Sequence, residues 1–231
     1  MIPWLDDSGA FPPVESALRR PNGLLAAGGD LSSERLLRAY RMGIFPWYSE
    51  GEPILWWSPH PRLVLFPERL VVSRSMRKLL RRGAFNFSFD ACFDAVVEAC
   101  SRPRAYADAT WISPEIKQAF GRLHRLGNAH SFEVWSGAEL VGGLYGLALG
   151  RVFFGESMFH RASNASKAAL VFAVDRLEAW GYRLIDCQVY SSHLVSLGAE
   201  EIPRSELVRL LDDYCEQGPA AAAWLKEGIK R

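Results

Sequence analysis

Five consecutive stretches in the second half of the chain restrict its fold more than any other feature. SFEVWSG (131–137), AELVGGLYGLALG (138–150) and RVFFGESMF (151–159) each read as strands, with turn signals at Ser136-Gly137 and Leu149-Gly150 between them. Such short connections predict a three-stranded antiparallel meander. Residues 165–180 then read as a helix whose apolar side is Leu170, Phe172, Ala173, Val174 and Leu177, with Gly181 as its stop. YRLIDCQVY (182–190) returns to a strand pattern, which makes helix plus strand a crossover.

The order β-β-β-α-β is followed by a short strand and a helix from about Arg204. It resembles the core of the GCN5-related N-acetyltransferase fold, an α+β arrangement with a mixed sheet flanked by helices. The preceding residues are of another kind. They hold PNGLLAAGGD, a short helix over 33–42 closed by Gly43, and GIFPWYSEGEPILWWSP, where prolines at 46, 53, 59 and 61 deny a long helix or a central strand. Two domains are expected: a small aromatic and Pro-rich unit over 1–62 and an acyltransferase-like catalytic unit over 63–231. Two further helices are expected within the second, over 93–100 with Asp90 as a plausible cap and over 115–126 with Gly127 as its stop.

With 231 residues, 49% of them hydrophobic and 23% charged, the chain is long enough to bury a substantial core. The start MIPWLDDSG has neither a basic nor an apolar segment, and no 18 apolar residues run together, so a cytoplasmic protein without membrane contact is expected. Cys92, Cys100, Cys187 and Cys215 lie far apart without CxxC spacing, which predicts free thiols and no metal centre. The net charge of +1 conceals a stretch from Arg69 to Phe89 with no acidic residue. Within SRSMRKLLRR, Arg74, Arg77, Lys78, Arg81 and Arg82 recur at helical spacing, with Ser73 or Ser75 as cap. The resulting basic face is either a solvated surface or a phosphate-binding patch.

Three polar residues stand where strands should be apolar. Glu156 interrupts VFFGESMF, and strict alternation places it on one side with Phe154 and Met158, where an unpaired charge costs several kcal/mol or shifts its pKa. Gly155 beside it marks a bulge that re-aims its neighbours. Asp186 and Gln188 share a face of LIDCQVY with Leu184 and Tyr190; they are either a satisfied polar pair or part of a site with Glu156. The loop HRASNASKAAL that follows the third strand has Arg161 but lacks the glycines with which acetyl-CoA enzymes of this fold approach a pyrophosphate. No GxxxxGK[ST] or GxGxxG occurs either, so no cofactor is expected and the substrate should arrive already activated. Trp47, Trp56, Trp57 and Trp111 sit in loop-like surroundings suited to stacking unpaired bases.

The segments GGDLS (28–32), YRMGIFPW (40–47), WWSPHPR (56–62), TWIS (110–113), GGLYG (142–146), FFGESMF (153–159), ASKAAL (165–170), IDCQ (185–188) and SLGA (196–199) together resemble the bacterial leucyl/phenylalanyl-tRNA–protein transferases. The resemblance runs through nearly the whole chain in order. It implies a monomeric enzyme that moves Leu or Phe, and Met, from aminoacyl-tRNA to the amino terminus of proteins beginning with Arg or Lys, a tag for degradation. It also implies catalysis by Asp186, Gln188 and Glu156, and substrate binding by Tyr40, Trp47, Trp111, Leu144, Phe153, Ser157, Leu170 and Ile185. Contacts to tRNA would come from Arg74, Arg77, Lys78, Arg81 and Arg82. Phe120 stands where the family can carry a tyrosine. A CoA-dependent N-acetyltransferase is the alternative enzyme, and an RNA-binding module the alternative without catalysis.

The chemistry asks little of such a site. An aminoacyl ester reacts downhill with an amine, and an α-amino group with a pKa of about 7.7–8.0 is already roughly one-tenth neutral near pH 7. Holding amine and ester together supplies on the order of 7–11 kcal/mol at best. The expected roles are a Gln188 amide oxygen that accepts a hydrogen bond from the amine, and an Asp186 that fixes Gln188 or receives the proton through it. Glu156 would hold the terminal ribose or the acceptor's cation.

Overall fold

The structure, a computed structural model, describes residues 2–6, 9–102 and 110–225. In chain order its strands are β1 (Trp4–Leu5), β2 (Leu24–Gly28), β3 (Phe45–Pro46), β4 (Leu55–Trp57), β5 (Arg62–Leu65), β6 (Asn86–Phe89), β7 (Ala129–Ser136), β8 (Glu139–Leu149), β9 (Val152–His160), β10 (Leu184–Gln188) and β11 (Glu200–Ile202). The helices are α1 (Ser33–Arg41), α2 (Arg74–Arg81), α3 (Phe93–Cys100), α4 (Pro114–Arg125), α5 (Ala165–Ala179), α6 (Ser192–Val195) and α7 (Arg204–Cys215). Two sheets organise them, a small one in the order β1-β2-β4-β3 and a seven-stranded one in the order β11-β5-β10-β9-β8-β7-β6.

The expected meander is present as β7–β8–β9, with Gly137 and Gly150 at φ +58° and +55° in the two tight connections. The α5 crossover brings β10 back parallel to β9, the one parallel pair of the large sheet, so the chain has the mixed α+β architecture that the element order predicts. Strand β8 is rich in glycine because it is crowded on both faces. A Cβ on Gly142 would lie 2.7 Å from that of Ala165 at the start of α5, and one on Gly146 would lie 2.2 Å from the Phe154 carbonyl oxygen. Apolar side chains fill both sides of the sheet. Phe132, Leu144, Phe153, Leu170, Val174 and Ile185 pack between it and α5. Tyr40, Trp56, Phe93, Ile116, Tyr145, Phe154, Leu207 and Leu211 join the opposite face to α1, α3, α4, α7 and the small sheet in one continuous core.

Several local readings are revised. Strand β5 starts directly after Pro61 and runs inside the large sheet, and β4 is an interior strand of the small one. Prolines 53, 59 and 61 fall just outside these short strands, where a missing N–H removes no ladder hydrogen bond. Strand β6, unforeseen, extends the meander to four strands. Asp90 does not cap α3. Its Oδ1 accepts the Ser131 N–H and its Oδ2 meets His130, while the buried Glu133 takes the N–H groups of Ala91 and Cys92 at the start of α3. Ser73 caps α2, one of the two serines expected there, and Ser32 and Ser113 cap α1 and α4, which was not foreseen; each accepts from the N–H three residues on.

Candidate active site

Strands β9 and β10 pair from Val152–Leu184 as far as Phe154–Asp186, and the pairing ends there. A pocket of about 850 Å³ opens where they part. Two residues beyond that last pair stand Glu156 on one strand and Gln188 on the other, just past the point where the two parallel strands stop pairing, and both line the pocket.

Both residues stand at an irregularity of their strand. Opposite β8, Tyr145 pairs with Ser157 and Gly146 with Gly155, so Glu156 is the extra residue of a bulge. Strict alternation therefore fails: Phe154 faces the core that contains Tyr40, and Met158 packs against the α5 side. On β10, the register against β5 slips between Asp186 and Gln188, and Gln188 takes φ +64°, a left-handed conformation uncommon outside glycine. Residues held this way cost on the order of 1–3 kcal/mol and cluster at functional sites.

A hydrogen-bond network joins the sequence-predicted residues. Glu156 Oε1 accepts from the Tyr40 hydroxyl and from Gln188 Nε2, both at 2.8 Å. The Gln188 N–H donates to Asp186 Oδ1 at 2.9 Å. Asp186 lies behind the pocket wall, gripped by Arg62, whose Nε and Nη2 donate to its two oxygens at 2.8 and 2.6 Å. Both partners of this ion pair are fully buried. Removing either alone should cost about 3–5 kcal/mol, because an uncompensated charge remains. Arg62 was not foreseen: it ends the motif WWSPHPR, but nothing in the sequence signals that its guanidinium turns inward.

Burial pushes the Glu156 carboxyl up to about 8, and the nearby Asp186 adds to the rise. Hydrogen bonds from Tyr40 and Gln188 and the charge of Arg62 hold it back only in part. Near pH 7 the group is therefore mostly neutral, the shifted pKa being the second of the two alternatives that its place on a buried strand face left open. Since Oε1 receives both hydrogen bonds, Oε2 is left for the pocket. The Gln188 amide oxygen likewise takes no hydrogen bond from the described residues.

The pocket wall divides by polarity. Leu144, Phe153, Leu170 and Ile185 line it together with Ala173 and Leu177, forming an apolar end. Trp47, Trp111 and Ser157 also line it, as does Phe45. Tyr40 reaches it only through Glu156. Trp47 is 44% exposed and its ring lies 5.9 Å from that of Trp57, whereas Trp56 is fully buried with its indole N–H on the Gly28 carbonyl and belongs to the core rather than to a stacking group. Phe120 is also buried, against Tyr145, away from the pocket. Arg74, Arg77, Lys78 and Arg81 of α2 and Arg82 at its C-terminal cap are all exposed and make no ion pair among the described residues. Buried Met76 fastens α2 to Ala168 and Val171 of α5, the helix whose Ser166 and Leu170 line the pocket.

Away from the pocket, Asp90, His124 and His130 lie close enough to suggest a metal site. Both ring nitrogens of His130, Nδ1 of His124 and both oxygens of Asp90 already meet protein groups. His130 Nε2 meets the Gly127 carbonyl, its Nδ1 meets Asp90, and His124 Nδ1 meets the Ala129 carbonyl.

Residues 64–212 match the family model described as leucyl/phenylalanyl-tRNA protein transferase, and residues 29–60 match that of its N-terminal domain. The chain belongs to this family. The transferase is 61% identical to the leucyl/phenylalanyl-tRNA–protein transferase of Methylococcus capsulatus, over 95% of this chain and 93% of that one. It is 59% identical to the same-named protein of Azotobacter vinelandii over 95% and 96%, and 57% identical to that of Pseudomonas fluorescens SBW25 over 97% and 100%. Among solved structures, a GCN5-related N-acetyltransferase from Kribbella flavida aligns at TM-score 0.39 and 12% identity, covering 74% of this chain and 57% of that one. The transferase is thus an aminoacyltransferase with an aminoacyl-tRNA donor and a protein acceptor, and no helix of its described residues is long and apolar enough to cross a membrane.

Proposed function

We propose that this transferase moves Leu or Phe, and with them Met, from tRNA to the free amino terminus of proteins that begin with Arg or Lys, marking them for degradation. The observation that carries the reading is one pocket with an apolar end and a polar end. Leu144, Phe153, Leu170 and Ile185 suit an unbranched-β apolar side chain, and beside it stand the free amide oxygen of Gln188 and the Glu156 Oε2, which no internal hydrogen bond occupies. Trp47 and Trp111 offer ring faces to the terminal adenine. Glu156 is the only carboxyl group among the described residues that line the pocket, so it is the group an acceptor's cation meets.

The geometry then divides the work. The Gln188 amide oxygen accepts a hydrogen bond from the attacking amine and turns its lone pair toward the ester carbonyl. As the new N–C bond forms, nitrogen becomes cationic and loses a proton, and as the ester C–O bond breaks the departing ribose oxygen gains one, so that the products are an amide and a hydroxyl. Glu156 Oε2 is matched to that task, since a carboxyl near 8 and an amine near 8 exchange a proton at little cost. An arriving cation favours the ionised carboxylate and draws its pKa down. Asp186 has both oxygens committed to Arg62 and Gln188, and so acts by holding Gln188.

The test incubates the protein with Leu-tRNA labelled in the amino acid and with a peptide beginning with Arg, then with the same peptide acetylated. Label should enter the first peptide and be absent from the second. Equal labelling of a peptide beginning with Ala would remove the acceptor preference, and stabilisation by acetyl-CoA together with acetyl transfer would favour the other donor.

A further inference from the structure

From the buried contacts around Arg62 we infer that this residue is a positioning residue of the transfer reaction, holding Gln188 and the aromatic wall of the pocket in one fixed relation. The inference rests on the proposed function for the identity of the reaction, and on geometry alone for the residue.

Arg62 has no exposed surface, and each of its three nitrogens has a partner. Two grip Asp186, and the third, Nη1, donates to the Gly43 carbonyl at 3.2 Å. Its guanidinium also lies 4.8 Å from the centre of the Phe45 ring, which lines the pocket. These contacts close a ring. Gly43 donates its N–H to the Tyr40 carbonyl, Tyr40 donates its hydroxyl to Glu156, Glu156 accepts from the Gln188 side chain, and the Gln188 backbone returns through Asp186 to Arg62. Every hydrogen bond in the ring lies between 2.6 and 3.2 Å.

A ring fixes what an open chain leaves free. Gln188 carries a left-handed backbone that its own side chain disfavours, and two of the ring's hydrogen bonds hold it there, one at its N–H and one at its Nε2. Asp186 supplies the first only while its carboxylate is oriented, and the planar, forked guanidinium orients it with two parallel hydrogen bonds. The same guanidinium anchors the turn at Gly43 that leads into Phe45 and Trp47. One side chain therefore sets both the amine-orienting amide and the wall that would receive the donor's terminal base. A lysine keeps the charge but presents a single point of attachment, which cannot hold Asp186 at both oxygens and reach Gly43 as well.

The decisive measurements are kcat and KM for transfer from a minimal donor, leucyl-adenosine, with melting temperature followed in parallel. R62K should remain folded and lose at least 10-fold in kcat, with KM for the minimal donor changed less than 3-fold. The paired replacement R62M/D186L removes the buried charges together and should regain the melting temperature lost by R62M alone, yet stay at least 10-fold slow. A merely structural pair gives the opposite result, with turnover recovering as stability does. Wild-type kcat in R62K, or recovery of kcat in the stable double variant, overturns the inference; if R62K does not fold, the double variant decides. Failure of the unmutated protein to transfer from either donor overturns the proposed function instead.

Discussion

At the scale of single residues, the consequences of Glu156 are the most specific. Its pKa is about 8 in the folded protein, against an ordinary value of 4.5. Between those values the folded chain holds a proton that the unfolded chain has released, so this group lowers stability as pH rises from about 4.5 and has its full effect above about 8. Glu156→Gln keeps an oxygen for Tyr40 and Gln188 and removes the ionisation. The melting temperature of E156Q relative to wild type should therefore rise between pH 5 and pH 8, by the equivalent of a few kcal/mol at most. A difference independent of pH would show that Glu156 titrates normally. The kinetics follow the same logic. Below pH 8, transfer that needs both a neutral amine and an ionised Glu156 rises with pH more steeply than transfer that needs only the amine. Log kcat/KM plotted against pH should be steeper for wild type than for E156Q, and parallel lines would exclude proton acceptance by Glu156. Gln188→Ala carries no such signature: it should lower the rate at every pH while the profile keeps its shape.

Among the elements, α2 and β8 make the clearest claims. Four cations on a helix of eight residues and Arg82 at its C-terminal cap, fastened to α5 by Met76, form an exposed basic face one helix away from the pocket. Charge reversal of Arg77 and Arg81 should raise KM for charged tRNA about 10-fold or more. It should also flatten the salt dependence by about 0.7–0.9 of a logarithmic unit per lost phosphate contact. The minimal aminoacyl-adenosine donor should be almost unaffected, and equal losses on both donors would show that α2 does not touch phosphate. Strand β8 bears on stability rather than binding. Alanine at Gly142 would press its Cβ to 2.7 Å from that of Ala165, and the overpacking should cost about 1–3 kcal/mol in urea unfolding. An unchanged midpoint would mean that α5 moves away freely, against the buried apolar layer it shares with the sheet.

For the molecule as a whole, selectivity for the donor follows from which surfaces meet at the gap between β9 and β10. The apolar end offers no hydrogen-bonding side chain at Leu144, Phe153, Leu170 or Ile185, so it sorts donors by shape. Leu, Phe and Met should transfer and the β-branched Ile and Val poorly, with a penalty of about 1–3 kcal/mol, or roughly 10- to 200-fold in kcat/KM. Comparable kcat/KM for Ile-tRNA and Leu-tRNA would sink the assignment of this end of the pocket. The two sheets also act together here. The small sheet contributes Phe45 and, beside it, Trp47, while the large sheet contributes Glu156 and Gln188, and the core through Tyr40 and Phe154 joins them with a ring contact of 5.2 Å.

Sequence alone determined what is local or repeated along the chain. Gly137 and Gly150 forced the tight turns of the meander, the 3.6-residue spacing of Leu170, Ala173, Val174 and Leu177 made α5, and a serine cap marked where α2 begins. The misfit of Glu156, Asp186 and Gln188 within apolar strands was legible too, because strand periodicity makes a polar residue on a buried face visible at once. Tertiary structure alone decided how those residues are used. Strand β5 entered the large sheet from outside the meander, and so placed Arg62 beside an aspartate 124 positions away. A one-residue bulge split Met158 from the side that Glu156 shares with Phe154, the fold brought Tyr40 of α1 against Glu156, and burial there, not its own chemistry, made the carboxyl neutral. Contacts between residues more than a hundred positions apart leave no periodic trace in a single sequence, and desolvation is a property of the surrounding packing, so the sequence offered a shifted pKa for Glu156 only as one alternative and named none of its partners in space.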